Sequence, residues 1–317
     1  MKIKKIEVFP IRVKNNFDIG RKFDTKNINT AMLEIKNLKK TKKEAPAKNK
    51  IEKRNLEPKS LGNYETNIKD MGEYYVDEGS ATSIYSKSHE TTVVKIETEN
   101  GIVGWGEAQS PVSPNTTATI IKDIVEPLTI GKDIYDVESI WHNNYSSKRE
   151  RGHYTGFYID AICGVDIAIW DAIGKSLNMP TCKAMGGAHR KSVALYNGIG
   201  GTEPEEVADQ AEWSVSKGYK FVKMHLKENL EKDIEIARKV RERVGDSIGI
   251  MIDVHMGFDT FNVIKLGKEL EKLNLLWIES PSDPTDIPGL CEISRSLDIP
   301  IANGEWTRTK YEMREIF

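Results

Sequence analysis

Cysteine is scarce in this chain: Cys163, Cys182 and Cys291 are odd in number, far apart and in no CxxC pair. That pattern excludes a disulfide framework and a zinc knuckle and fits a reducing cytoplasm. An excess of charge of either sign is also lacking, since 46 basic and 48 acidic side chains leave a formal net charge of -2. No global field draws the chain toward nucleic acid or an anionic membrane, so small molecules are the expected partners. There is no run of about 18 apolar residues and no apolar signal-peptide core, because the first residues, MKIKKIEVFPIRV, alternate like a strand. The expectation is a cytoplasmic protein without a membrane span.

What is present points to more than one domain, since 317 residues exceed the roughly 100–200 typical of a single unit. Residues 3–13, 91–97 and 102–107 read as strands, the last two joined by an Asn100-Gly101 hairpin turn. Between the first and second, residues 36–59 hold ten Lys/Arg against three Glu, broken by Pro46 and Pro58. Without interleaved aromatics this segment reads as a solvated insertion and not as a nucleic-acid arm. From Thr116 the pattern turns helical, and Ile162, Val165, Ile169, Ile173 and Leu177 share one face of a helix ending near Asn178-Met179-Pro180. After Gly186-Gly187, short apolar strands at 193–198, 221–226, 248–254, 275–278 and 299–302 are each followed by an amphipathic helical segment.

Five β-α units in succession, with no sign of a sheet reversal, point to an α/β protein with a (β/α) barrel of the TIM type more than to a doubly wound sheet, which periodicity alone does not separate from it. The barrel is incomplete, at about five of the eight units a closed barrel needs. The expected division is an α+β capping domain over 1–130, a helical lead-in over 131–190 and the partial barrel over 191–317. Phe317 falls inside the expected fifth helix, so the sequence reads as truncated.

Three acids stand at the C-terminal ends of successive predicted strands: Asp253 in MIDVH, Glu279 in WIESP and Glu305 in ANGEW, each 26 residues after the last. In a parallel barrel those strand ends converge on the active face, and equal spacing brings the three carboxylates to one point. Clustered carboxylates call for a cation, and hard oxygen donors with no thiolate among them call for Mg²⁺. Taken singly, each acid could merely cap the helix that follows it; the shared interval argues against that for all three. One strand earlier, Lys223 and His225 alternate with Met224 and so share a face, and Asp253 and His255 should share one likewise. An imidazole at such a place suits proton transfer near neutral pH, against the blander role of a hydrogen-bonded structural histidine, and His255 is the leading candidate for the base.

The Lys-x-His, Asp-x-His, Glu-Ser-Pro and Gly-Glu strand ends, with GIVGWGEA (101–108), AICGVDIAIWDAIGKSLNMP (161–180) and Gly186-Gly187, resemble the mandelate racemase and muconate lactonizing branch of the enolase superfamily. The resemblance covers nearly the whole chain outside the basic insertion. It implies Asp253, Glu279 and Glu305 as Mg²⁺ ligands, Lys223 neutralising a substrate carboxylate, and His225 where relatives often carry a second lysine as base. The Asp-x-His pattern is similar to that of acid-sugar dehydratases, which makes His255 an acid/base residue and a galactonate- or mannonate-like acid the substrate. The product would be a 2-keto-3-deoxy acid, and the assembly a homo-oligomer. Two departures stand out: Glu279-Ser280-Pro281 replaces the frequent Glu-Glu-Pro, and the later His-Asp dyad and last acidic strand end are absent. The rival expectations are a racemase or epimerase on the same fold, and an inactive fragment that needs a partner chain.

Overall fold

The computed structural model describes residues 1–14, 68–78, 82–226 and 229–317. The basic insertion at 36–59 lies outside them.

The N-terminal part is built on a three-stranded sheet in the order β1-β5-β6, formed by β1 (Ile3–Lys14), β5 (Ser88–Thr98) and β6 (Val103–Ala108). Strand β5 alternates strictly, with Thr92, Val94, Ile96 and Thr98 fully buried, as a sheet with one covered face requires. The expected hairpin is present: Glu97 pairs with Val103, and Gly101 turns the chain at φ 80°, a left-handed conformation that costs glycine nothing. A second antiparallel sheet, β2 (Ile68–Asp70), β3 (Tyr74–Glu78) and β4 (Thr82–Ser86), was not expected from the sequence.

Helices α1 (Pro114–Ile120) and α4 (Gly156–Ser176) cover the first sheet, while α2 (Glu126–Thr129) packs beside α3 (Val137–Ser146) and α3 against α4. The long helix α4 buries Ile162, Val165, Ile169 and Ile173 as its periodicity predicts, whereas Leu177, just past the last turn, is exposed. The glycines of GIVGWGEA have a packing reason, because a Cβ at Gly104 or Gly106 would lie about 2 Å from a backbone oxygen of α4. At that close approach, α4 also satisfies the free edge of β6. Asp171 accepts the Trp105 N–H (2.8 Å) and Lys175 donates to the Val103 carbonyl (2.9 Å), so backbone groups that an edge strand leaves open find partners.

The C-terminal part is one parallel sheet of five strands in the order β11-β10-β9-β8-β7, each followed by a helix. Strands β7 (Asn197–Gly200), β8 (Phe221–His225), β9 (Gly249–Asp253), β10 (Trp277–Glu279) and β11 (Ile301–Ala302) alternate with α6 (Pro204–Ser216), α7 (Leu230–Val244), α8 (Thr260–Leu270), α9 (Ile287–Ser296) and α10 (Thr309–Ile316). A single helical turn, α5 (Thr181–Ala184), precedes β7. Val222, Met224, Ile250, Ile252 and Ile278 pack outward against Val207, Ile236, Val240, Val263 and Leu266 of the helices. This is five of the eight units of a barrel. The first strand begins later than its apolar residues predict: Val193 and Leu195 are exposed and irregular, and pairing with β8 starts only at Asn197.

Among the described residues, no helix is long and apolar enough to cross a membrane.

Candidate metal and catalytic site

Parallel pairing sets the site. His225 is in register with Asp253, Asp253 with Glu279, and Glu279 with Ala302; two residues earlier, Lys223 is in register with Met251 and Met251 with Trp277. Side chains alternate along a strand, so the groups of each row face the barrel interior. A lower row of Lys223, Met251 and Trp277 supports an upper row that ends in carboxylates.

Carboxylate oxygens of Asp253, Glu279 and Glu305 all lie within 4.8 Å of one another. None caps its following helix: α8 is capped by Asp259 and α9 by Asp286, each accepting a backbone N–H, and α10 has Arg308 at its N-cap with no side-chain cap bond. The capping role therefore falls to none of the three acids, which face each other instead. Asp253 is buried, Glu279 half-buried and Glu305 exposed, which grades the cluster from the sheet outward to solvent. Three hard oxygen donors converging at a strand-end mouth fit a divalent cation with positions left for water or substrate.

The remaining contacts orient these acids. Lys223, buried, donates to Asp253 Oδ2 at 3.2 Å and to Glu279 Oε1 at 3.1 Å, with its amine 5.4 Å from the ring centre of Tyr196. Burial works against its charge, but the hydrogen bond to Glu279 and the attraction of Asp253 outweigh it, and its pKa is raised. Trp277 Nε1 holds the other oxygen of Glu279 (3.1 Å), and the His255 N–H holds Asp253 Oδ1 (3.0 Å). His225 Nδ1 lies 3.5 Å from Asp253 Oδ2. Burial lowers the pKa of His225 in spite of that carboxylate, which favours the neutral imidazole a base requires. No side chain from β7 crowds it, since Gly198 and Gly200 stand beside it.

His255 departs from simple strand alternation. It lies past the end of β9 with φ 43°, and Met256 follows at φ 58°. Left-handed conformations at bulky residues are strained and cluster at functional sites. The turn brings the His255 ring edge-on to Trp306, centroids 5.0 Å apart. Ser280, in the place of the frequent second glutamate, also has a positive φ of 48° and is fully buried.

The structure thus brings together all six residues singled out from the sequence. It adds Tyr196, Trp277 and Trp306, which sequence reasoning missed. Trp277 and Trp306 flank two of the acids in the chain, and that adjacency was the available signal; Tyr196 carried none.

Two family models match the chain: Mandelate racemase / muconate lactonizing enzyme, N-terminal domain, over residues 77–186, and Enolase C-terminal domain-like over residues 206–317. An arabinonate dehydratase of Saccharolobus solfataricus is 30% identical over 231 residues, covering 72% of this chain and 62% of that protein. An N-succinyl-L-Arg/Lys racemase of Bacillus cereus is 31% identical over 230 residues, 71% of this chain and 60% of that protein. The chain thus spans under two thirds of the length of these curated relatives. A solved structure from Sinorhizobium meliloti, provisionally described as an isomerase, superposes with a TM-score of 0.80 at 28% identity, covering 100% of this chain and 71% of that one.

Proposed function

Since the chain belongs to the mandelate racemase and muconate lactonizing branch of the enolase superfamily, we propose that it dehydrates a sugar acid to a 2-keto-3-deoxy acid. The observation that carries this reading is the meeting of three strand-end carboxylates, one buried lysine and two histidines at a single mouth. Among the similar proteins, an L-talarate/galactarate dehydratase of Salmonella typhimurium is 35% identical over 188 residues, 58% of this chain and 46% of that protein.

Asp253, Glu279 and Glu305 are the residues that would hold Mg²⁺. When bound, it would supply positive charge where negative charge builds up on the substrate carboxylate as the α-proton leaves. Lys223 adds a fixed ammonium at the same mouth, and its contacts orient it before substrate arrives. His225 takes or holds a proton on one side of the mouth. His255 stands at the end of the neighbouring strand, braced by Trp306, where it can protonate the departing β-hydroxyl.

A set of C5 and C6 sugar acids, galactonate- and mannonate-like ones included, incubated with the protein and Mg²⁺ tests this. Dehydration yields a keto acid that reacts with semicarbazide. Exchange of the α-proton for deuterium with inverted configuration and no keto acid would instead establish the racemase reading, which the Bacillus cereus relative keeps in view.

A further inference from the structure

The third acid is held differently from the other two. Asp253 and Glu279 end hydrogen-bonded strands, and both of their carboxylates receive donors. Glu305 lies three residues beyond Ala302, the last residue of the two-residue strand β11, and is exposed on a turn. The bonds local to that turn are Thr307 N–H to the Gly304 carbonyl (3.0 Å) and Gly304 N–H to Asn303 Oδ1 (2.8 Å). Such short-range bonds shape the turn but do not tie it to the rest of the molecule.

Arg308 does. Its Nη1 donates to the carbonyl of Trp306 at 3.0 Å, while Nε and Nη2 form a fork onto Asp160 Oδ1 and Oδ2 at 2.8 and 3.2 Å. Asp160 belongs to α4, the long helix of the N-terminal part, and its side chain is 13% exposed. A bidentate guanidinium–carboxylate pair fixes direction as well as distance. The far end of the same grip is fastened by Glu312, which accepts the Arg308 N–H, and by the Tyr145–Tyr311 stack at 5.3 Å. Trp306, whose carbonyl is held, is the neighbour of Glu305 in the chain and the ring that meets His255.

We propose that Asp160 and Arg308 are positioning residues for the metal site: helix α4 of the N-terminal part holds Glu305 in place, and steadies His255 through Trp306, without touching the ion. This rests on the metal-site reading above. The competing account makes the pair a plain strut whose loss lowers stability and nothing else.

Mn²⁺ binding to the full chain, followed by electron paramagnetic resonance, separates the two accounts without reference to turnover. Arg308→Met and Asp160→Asn are expected to weaken Mn²⁺ binding about tenfold or more, as loss of a partner that orients a ligand does. Arg308→Lys keeps the charge but not the fork and should fall between them and wild type. Arg243→Met, which breaks an exposed network with Glu205, Asp209 and Glu212, should leave Mn²⁺ binding unchanged. Folded Arg308→Met and Asp160→Asn proteins with wild-type affinity would overturn the proposal, even if they melt earlier. Should both fail to fold, unchanged affinity in Arg308→Lys overturns it. A wild-type protein whose Mn²⁺ binding is absent, or indifferent to Glu305→Gln, would overturn the metal site itself and this proposal with it. Failure of the positioning role alone shows instead as Glu305-dependent binding that the variants leave intact.

Discussion

At the scale of single residues, Lys223 carries the most consequence. Its ammonium is buried against two carboxylates, where charge interactions act through less solvent than at the surface. Lys223→Met keeps most of the volume and removes the charge. The expected result is a loss of about a hundredfold or more in kcat, the size seen when one fixed stabilising donor is removed from an active site. Steady-state kinetics on the sugar acid found by screening measures it, and kinetics within a factor of two of wild type would remove Lys223 from the mechanism. Arg241 shows the same economy of placement in a structural role: its buried guanidinium donates to the carbonyls of Gly245, Ile248, Leu273 and Asn274. One side chain thus closes the loops around β9 and β10, whose far ends bear Asp253 and Glu279.

At the scale of elements, α4 is the spine of the N-terminal part, and it carries a pH dependence of its own. Asp166 lies on it beside Val125, Trp141 and Asn144. Burial, and secondarily the charge of Glu138, push its carboxyl up to about 6 from 3.8. A carboxyl whose folded pKa exceeds its unfolded one binds protons more tightly when folded. Its favourable contribution is therefore complete below the unfolded value and lost as pH rises through about 6. Asp166→Asn should accordingly stabilise the protein by about 1 kcal/mol near pH 8, allowing for partial solvent screening, and change little near pH 4. Urea unfolding at the two pH values checks this; an equal effect at both would show that proton linkage is not the cause.

At the scale of the whole molecule, the site is shared by elements that are distant in sequence, so ligand binding should report on folding. An ion that binds only the folded chain adds about 2.7 kcal/mol at a hundred times its Kd. Saturating Mg²⁺ should therefore raise Tm, and chelation should reverse the rise. Glu279→Gln should abolish it, by calorimetry on matched samples. A rise that survives in Glu279→Gln would place the stabilising ion somewhere else.

By itself the sequence determined the family resemblance and the local order. Asp253, Glu279 and Glu305 were legible because a β-α unit of constant length repeats its strand ends at a constant interval, and Lys223 with His225 because alternation along a strand is strictly twofold. The β5–β6 hairpin and α4 were legible because their periodicity is local. The sheet of β2, β3 and β4 was not, since short polar strands lack a one-sided apolar pattern, and the start of β7 was misplaced because apolar Val193 and Leu195 imitate a strand without a partner. Only the tertiary structure decided where His255 points, since its left-handed backbone breaks alternation. Only the tertiary structure, too, joined Asp160 to Arg308, 148 residues apart: such contacts are set by how two packed units meet, and no periodicity within either encodes them.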